Sequence, residues 1–182
     1  TSYEFEKELY ENSDIVIACN INYNRDLLKK AKADGKVIAT DVHVLSDIKD
    51  EYNRDFMKYA DILFLSDENI KGDYRKFIMS IVEEYDNSIV VLGMGDKGAL
   101  MYHKEVDEFY ELPAVKVGNV VNTVGAGDSL FSSFIHYFTN GCTAYDALKK
   151  ATIFASYKIG FDGASEGFAD EEVMEKLCET YA

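Results

Sequence analysis

Residues Asn122-Thr-Val-Gly-Ala-Gly-Asp-Ser129 combine the residue types best suited to chemistry in this sequence. Small residues at Gly125, Ala126 and Gly127 permit a tight turn that exposes consecutive backbone N–H groups. The stretch that follows is amphipathic, and Phe131, Phe134, Ile135 and Phe138 predict the buried side of a helix. Unpaired N–H groups at a helix start, reinforced by the helix dipole, attract negative charge. A transferring phosphoryl group needs such a cradle in its transition state. Asp128 falls in the first turn beside it, where a carboxylate can take the proton of an attacking alcohol. The same letters also suit a plain helix start with a dipole-complementing acid, so the motif alone leaves both readings open.

The elements that position this motif follow from periodicity. Val- and Ile-rich runs alternate with amphipathic stretches, the pattern of a βαβ protein with a buried parallel sheet. Strands are predicted over Asp14–Cys19, Lys36–Asp41, Asp61–Ser66 and Ser88–Gly93. Helices are predicted over Tyr23–Ala33, Asp50–Ala60 and Tyr74–Tyr85, with Gly35 stopping the first. Gly95-Asp-Lys-Gly98 is turn chemistry and predicts a hairpin with Ala99–His103, followed by a strand over Glu108–Leu112. A short strand over Val115–Val121 is expected to feed the glycine turn. Helices over Asp128–Thr139, Thr143–Ile159 and Asp170–Tyr181 close the chain. The expected architecture is α/β, three layers around a mostly parallel central sheet, with residues 1–182 as a single domain.

Composition narrows the function classes. The 182 residues carry 19 basic and 33 acidic side chains, a net charge of −14, so nucleic acid and anionic membranes are unfavourable partners. An anionic substrate such as ATP must be held by a local device against that field. Cys19, Cys142 and Cys178 lie far apart with no CxxC pair, which reads as reduced thiols in a cytoplasm. The apolar stretches are strand-sized, too short for a membrane span. His43, His103 and His136 share no spacing suited to a metal or a triad. Lys29, Lys30 and Lys32, like Lys149 and Lys150, read as solvated helix faces, and Glu171 and Glu172 as a helix start.

The 122–129 string resembles the C-terminal signature of the ribokinase/PfkB carbohydrate kinases, Asp-Thr-Thr-Gly-Ala-Gly-Asp-x-Phe-x-x-Gly. The resemblance implies Asp128 as catalytic base and Gly125, Ala126 and Gly127 as the anion hole. Leu130 stands where Phe is usual and Ser132 where Gly is usual. Leu92-Gly-Met-Gly-Asp-Lys-Gly-Ala-Leu100 is similar to the family's nucleotide-contacting Thr-Leu-Gly-x-x-Gly-Ala segment. That match puts Gly95 and Gly98 on the family's glycines and Gly93 where Thr is common, although the turn is equally explicable as structure. Ala147-Leu-Lys-Lys-Ala-Thr-Ile-Phe-Ala155 resembles the helix whose Asn lies near the base of ATP, with Thr152 in its stead. Gly163-Ala164 resembles the Gly-Ala before the last helix.

Three departures qualify what the resemblance implies. Asn122 replaces the leading Asp and Val124 the second Thr, and without that Asp a monovalent cation beside the loop loses its usual charged ligand. Ser66-Asp-Glu-Asn69 stands where the family has Asn-x-x-Glu, so Glu68 and Asn122 remain the candidate metal-proximal residues, with Asp67 and Asp41 as further acids at strand ends, although Asp67 and Glu68 suit a plain helix start better and Asp41 equally suits a strand cap. The family's N-terminal segment and substrate lid find no match, so the fold is expected to be partial, with the sheet edge open to that segment or to another copy of the chain. The expected function is phosphoryl transfer from ATP, with Mg²⁺, to a hydroxyl of a sugar or nucleoside-like small molecule. The alternatives are a non-catalytic nucleotide-binding or regulatory homologue, and a nucleoside or vitamin kinase of the same superfamily.

Overall fold

The computed structural model describes residues 7–181. Six strands form one sheet in the order β1 to β6: β1 (Ile15–Ile17), β2 (Val37–Val44), β3 (Ile62–Ser66), β4 (Ile89–Gly93), β5 (Ala99–His103) and β6 (Glu108–Leu112). β1 pairs in parallel with β2, Ile15 opposite Val37, and β2 in parallel with β3, Ala39 opposite Ile62. The Ser88 and Ile89 N–H groups both reach the Asp61 carbonyl, at 2.9 and 3.0 Å, which starts β4 beside the start of β3. β5 returns antiparallel to β4. Met94 donates to the Gly98 carbonyl at 2.8 Å near one end, and Lys104 to the Ser88 carbonyl at 2.9 Å near the other.

Connections between the parallel strands are helical: α1 (Arg25–Ala33), α2 (Arg54–Tyr59) and α3 (Tyr74–Tyr85). Each buries the residues its spacing predicts, such as Leu28 and Ala31 in α1 and Ile78, Ile81 and Val82 in α3. Asp73 caps α3 by accepting the Arg75 and Lys76 N–H groups, and Asp86 ends it in the left-handed region. The strands between are apolar on both faces. Ile62 to Leu65 and Ile89 to Leu92 are all buried, as expected of a covered parallel sheet. After β6 come α4 (Ala126–Thr139), α5 (Ala144–Lys158) and α6 (Glu171–Tyr181).

The chain divides into two compact units, one up to Leu92 with Tyr102–Phe109, the other Gly93–Met101 with Tyr110 onward. Three expectations are corrected. The second helix starts at Arg54, not Asp50, because the Asp47 and Asp50 carboxylates accept the Lys49 and Asn53 N–H groups and hold the approach in turns. β2 runs on to Val44 through a register shift after Asp41, where His43 takes φ 57°. Residues 113–121 form no strand. Val120 and Val121 are exposed, and Val121 donates instead to the carbonyl of Ile159 in the loop after α5.

Candidate active site

The glycine turn is built by local hydrogen bonds. The Asn122 side-chain oxygen accepts the Val124 N–H at 2.9 Å, and the Asn122 amide donates to Asp162 at 3.1 Å. Gly125 then takes φ 82° and caps α4, a conformation that a Cβ would strain. Such a Cβ would also press on Ala164, 3.3 Å away. The turn is therefore braced by the 159–164 loop, which also receives the Val121 and Asn122 N–H groups on the Ile159 carbonyl, at 2.8 and 3.1 Å.

The Ala126 N–H folds back on the Thr123 carbonyl at 3.2 Å, and Ser129 opens the helical ladder on Gly125 at 2.9 Å. The N–H groups of Gly125, Gly127 and Asp128 find no acceptor among the described residues. Those three are the donors that remain at the positive end of a 14-residue helix. Gly127 faces open space, with nothing within 4 Å of where a Cβ would stand, and Asp128 is exposed beside it. Ser132, in the family's glycine position, turns its hydroxyl onto the Asp128 carbonyl at 2.7 Å and leaves the carboxylate alone. The helix is held by Leu130, Phe134 and Ile135, all buried. Phe131 and Phe138, expected on the same face, are half-buried, Phe138 stacking on Phe134.

The other predicted positions divide in character. Gly95 (φ 58°) and Gly98 (φ 103°) close a hairpin turn with internal bonds, Gly98 donating to the Gly95 carbonyl at 3.1 Å; Gly93 ends β4. Gly98 has a strong structural reason to exist, since a Cβ there would lie 2.0 Å from the Leu112 carbonyl oxygen. Thr152 is buried, and its hydroxyl donates to the Lys149 carbonyl of its own helix at 2.8 Å. Gly163 takes φ 74°, and its carbonyl accepts the Lys158 ammonium. Lys158 escaped the sequence reading, although a lysine one and two turns beyond Ala155 and Ala151 on an apolar stripe was a visible signal.

In the first unit, Asp67 accepts the Tyr74 hydroxyl at 2.8 Å while Glu68 is exposed. Asp41 accepts the His43 N–H at 2.7 Å and lies 3.6 Å from its imidazole. Among the described residues no group of three or more His, Cys, Asp or Glu is arranged to hold a metal ion. A cleft of about 230 Å³ lies elsewhere, lined by Cys142, Asp146, Lys149, Lys150 and Cys178, and contains none of the predicted site residues. Burial raises the Cys178 thiol above its ordinary value, against the pull of Lys150 and Lys149. No helix among the described residues is long and apolar enough to cross a membrane.

Comparison with known proteins places this geometry in context. The family described as pfkB family carbohydrate kinase matches residues 22–171. A deoxyribokinase from Salmonella typhi is 36% identical over 93 residues, 51% of this chain and 29% of the relative. The microbiome-derived acarbose kinase Mak1 superposes with a TM-score of 0.88 at 24% identity, covering 98% of this chain and 60% of the other. A chain named ribokinase II from E. coli, in complex with ATP and Mg²⁺, gives 0.81 at 19% identity, covering 96% and 61%. The chain thus spans less than two thirds of the length of each of these relatives.

Proposed function

The chain belongs to the pfkB family of carbohydrate kinases, and on that premise we propose that it carries the nucleotide-binding and catalytic-base part of an ATP-dependent phosphotransferase. The acceptor is a hydroxyl of a sugar or a related small metabolite, and residues 1–182 act as one functional domain. The observation that carries this reading is the start of α4, where the exposed carboxylate of Asp128 stands beside the unpaired N–H groups of Gly125, Gly127 and Asp128. The donors stabilise charge on the phosphoryl oxygens as the acceptor oxygen bonds to phosphorus. Asp128 takes the proton that the acceptor releases, and ADP departs.

Around that centre, Gly93, Gly95, Gly98 and Gly163 supply close backbone approach for the nucleotide, and Thr152 contributes packing under the base. Its hydroxyl is committed to its own helix. Magnesium suits a site whose ligands are mostly phosphate oxygens and water, with at most one or two carboxylates. Asn122 is a weak candidate for a cation, because both ends of its amide are already engaged. Three free thiols fit a reducing, cytoplasmic setting.

The test is calorimetry and ligand-observed NMR with ATP and ADP, with and without magnesium, followed by ADP release against a panel of sugars and nucleosides. Weak but saturable nucleotide binding is expected. No response at roughly millimolar ligand would remove the nucleotide site altogether. Binding without acceptor-dependent ADP release would instead assign the non-catalytic, nucleotide-holding alternative.

A further inference from the structure

Lys158 is only 1% exposed, yet its ammonium forms no ion pair among the described residues. An ammonium has three donors, and here the protein acceptor is the carbonyl of Gly163. Burying a charge without a counter-charge is costly, so the surroundings must return something for it. Part of the return is position: Lys158 is the last residue of α5, where the negative end of the helix dipole favours a cation.

The rest of the return lies in what the bond holds. Gly163 adopts φ 74°, which turns its carbonyl to Lys158, and the next residue, Ala164, stands against Gly125. Immediately after Lys158, the Ile159 carbonyl takes the Val121 and Asn122 N–H groups, and Asp162 takes the Asn122 amide. One buried positive charge thus ties the loop that braces the glycine turn.

We infer that Lys158 is a positioning residue, a tethered cation that orders the 159–164 loop against the Gly125 turn and supports binding of a nucleotide's phosphates there without any diffusible monovalent cation. This rests on the nucleotide reading above. An ammonium delivered by the chain organises loop carbonyls as a bound monovalent ion would, at a concentration fixed by the fold, so exchanging sodium for potassium changes nothing.

Calorimetry with ADP, in sodium, potassium and ammonium buffers, compares the wild type with Lys158→Met, Lys158→Arg and Lys158→Ala. The wild type binds equally in sodium and potassium. Lys158→Met, similar in length but uncharged, binds about tenfold more weakly, the loss expected of one charge-assisted contact. Lys158→Arg recovers much of the affinity, and Lys158→Ala is partly rescued by ammonium or methylammonium. The amide NMR shifts of Gly125 and Gly163 give a readout that needs no nucleotide: they move in Lys158→Ala and return toward wild type with ammonium. A folded Lys158→Met that binds ADP as well as wild type overturns the inference, as does wild-type binding that depends on potassium. Glycine shifts in Lys158→Ala that ignore ammonium overturn it too, even if Lys158→Met fails to fold. A wild type that binds no ADP counts against the nucleotide reading, while the glycine shifts still judge the role of Lys158.

Discussion

Asp128 occupies a position where two roles compete, a helix-dipole partner and a proton acceptor. Its carboxylate is exposed and Ser132 engages only its backbone, so the charge is available to a substrate. In a turnover assay Asp128→Asn should lower kcat roughly 10²–10⁴-fold, the contribution of a positioned base. Nucleotide affinity should change little, because the backbone donors remain. Near-normal turnover would leave Asp128 as a helix-dipole partner only. A second expectation concerns pH. The Cys178 thiol is raised chiefly by burial, and Tyr137 by burial and then by Cys178, Cys142 and Glu171. Groups that ionise later when folded add stability that is complete below their ordinary range and fades as pH rises through it. Denaturation midpoints should therefore fall from about pH 8.5 upward, and Cys178→Ser should reduce the first part of that fall. An identical pH profile in the variant would show that Cys178 is not its source. The position of Asp128 in the first turn of a helix was legible from its neighbours in sequence; the engaged hydroxyl of Thr152 was not, because only the helix geometry gives it the Lys149 carbonyl.

At the scale of elements, the Gly95–Gly98 turn separates two uses of glycine that look alike in sequence. Both take positive φ, but only Gly98 packs where a Cβ would meet backbone, the Leu112 carbonyl oxygen at 2.0 Å and the Ala114 nitrogen at 2.6 Å. Gly98→Ala should cost about 3 kcal/mol or more in chemical denaturation, since backbone cannot step aside cheaply. Gly95→Ala, with nothing within 4 Å, should cost only about 1 kcal/mol, the strain of its backbone conformation. Equal losses would show that φ alone sets the requirement. The elements themselves were largely legible. Tyr74–Tyr85, Ala99–His103 and Glu108–Leu112 form where apolar period and turn chemistry agree. The expectation failed at Val115–Val121, where β-branched residues suggested a strand but the Val121 and Asn122 N–H groups go to the loop after α5. Local propensity cannot see a partner that arrives from forty residues away.

For the whole molecule, charge is the dominant long-range fact. With a net charge of −14, the protein's long-range field opposes the approach of any anion, a nucleotide included. Added salt screens that repulsion, so the association rate of a fluorescent ADP analogue should rise with ionic strength in stopped-flow measurements. A steep fall would reveal a local positive field strong enough to outweigh the net charge. The −14, the alternation of strand and helix, and the Gly-Ala-Gly-Asp turn before an amphipathic helix were all determined by the sequence itself. Composition, period and glycine spacing are properties of the chain that survive any packing. Tertiary structure alone decided that Asn122 spends its amide on Asp162, that the Val121 and Asn122 N–H groups go to Ile159, and that Lys158 is buried with its ammonium on the Gly163 carbonyl. The bonds of residues 121 and 122 to Ile159 and Asp162 join positions some forty residues apart, and distance along the chain carries no record of which groups will meet.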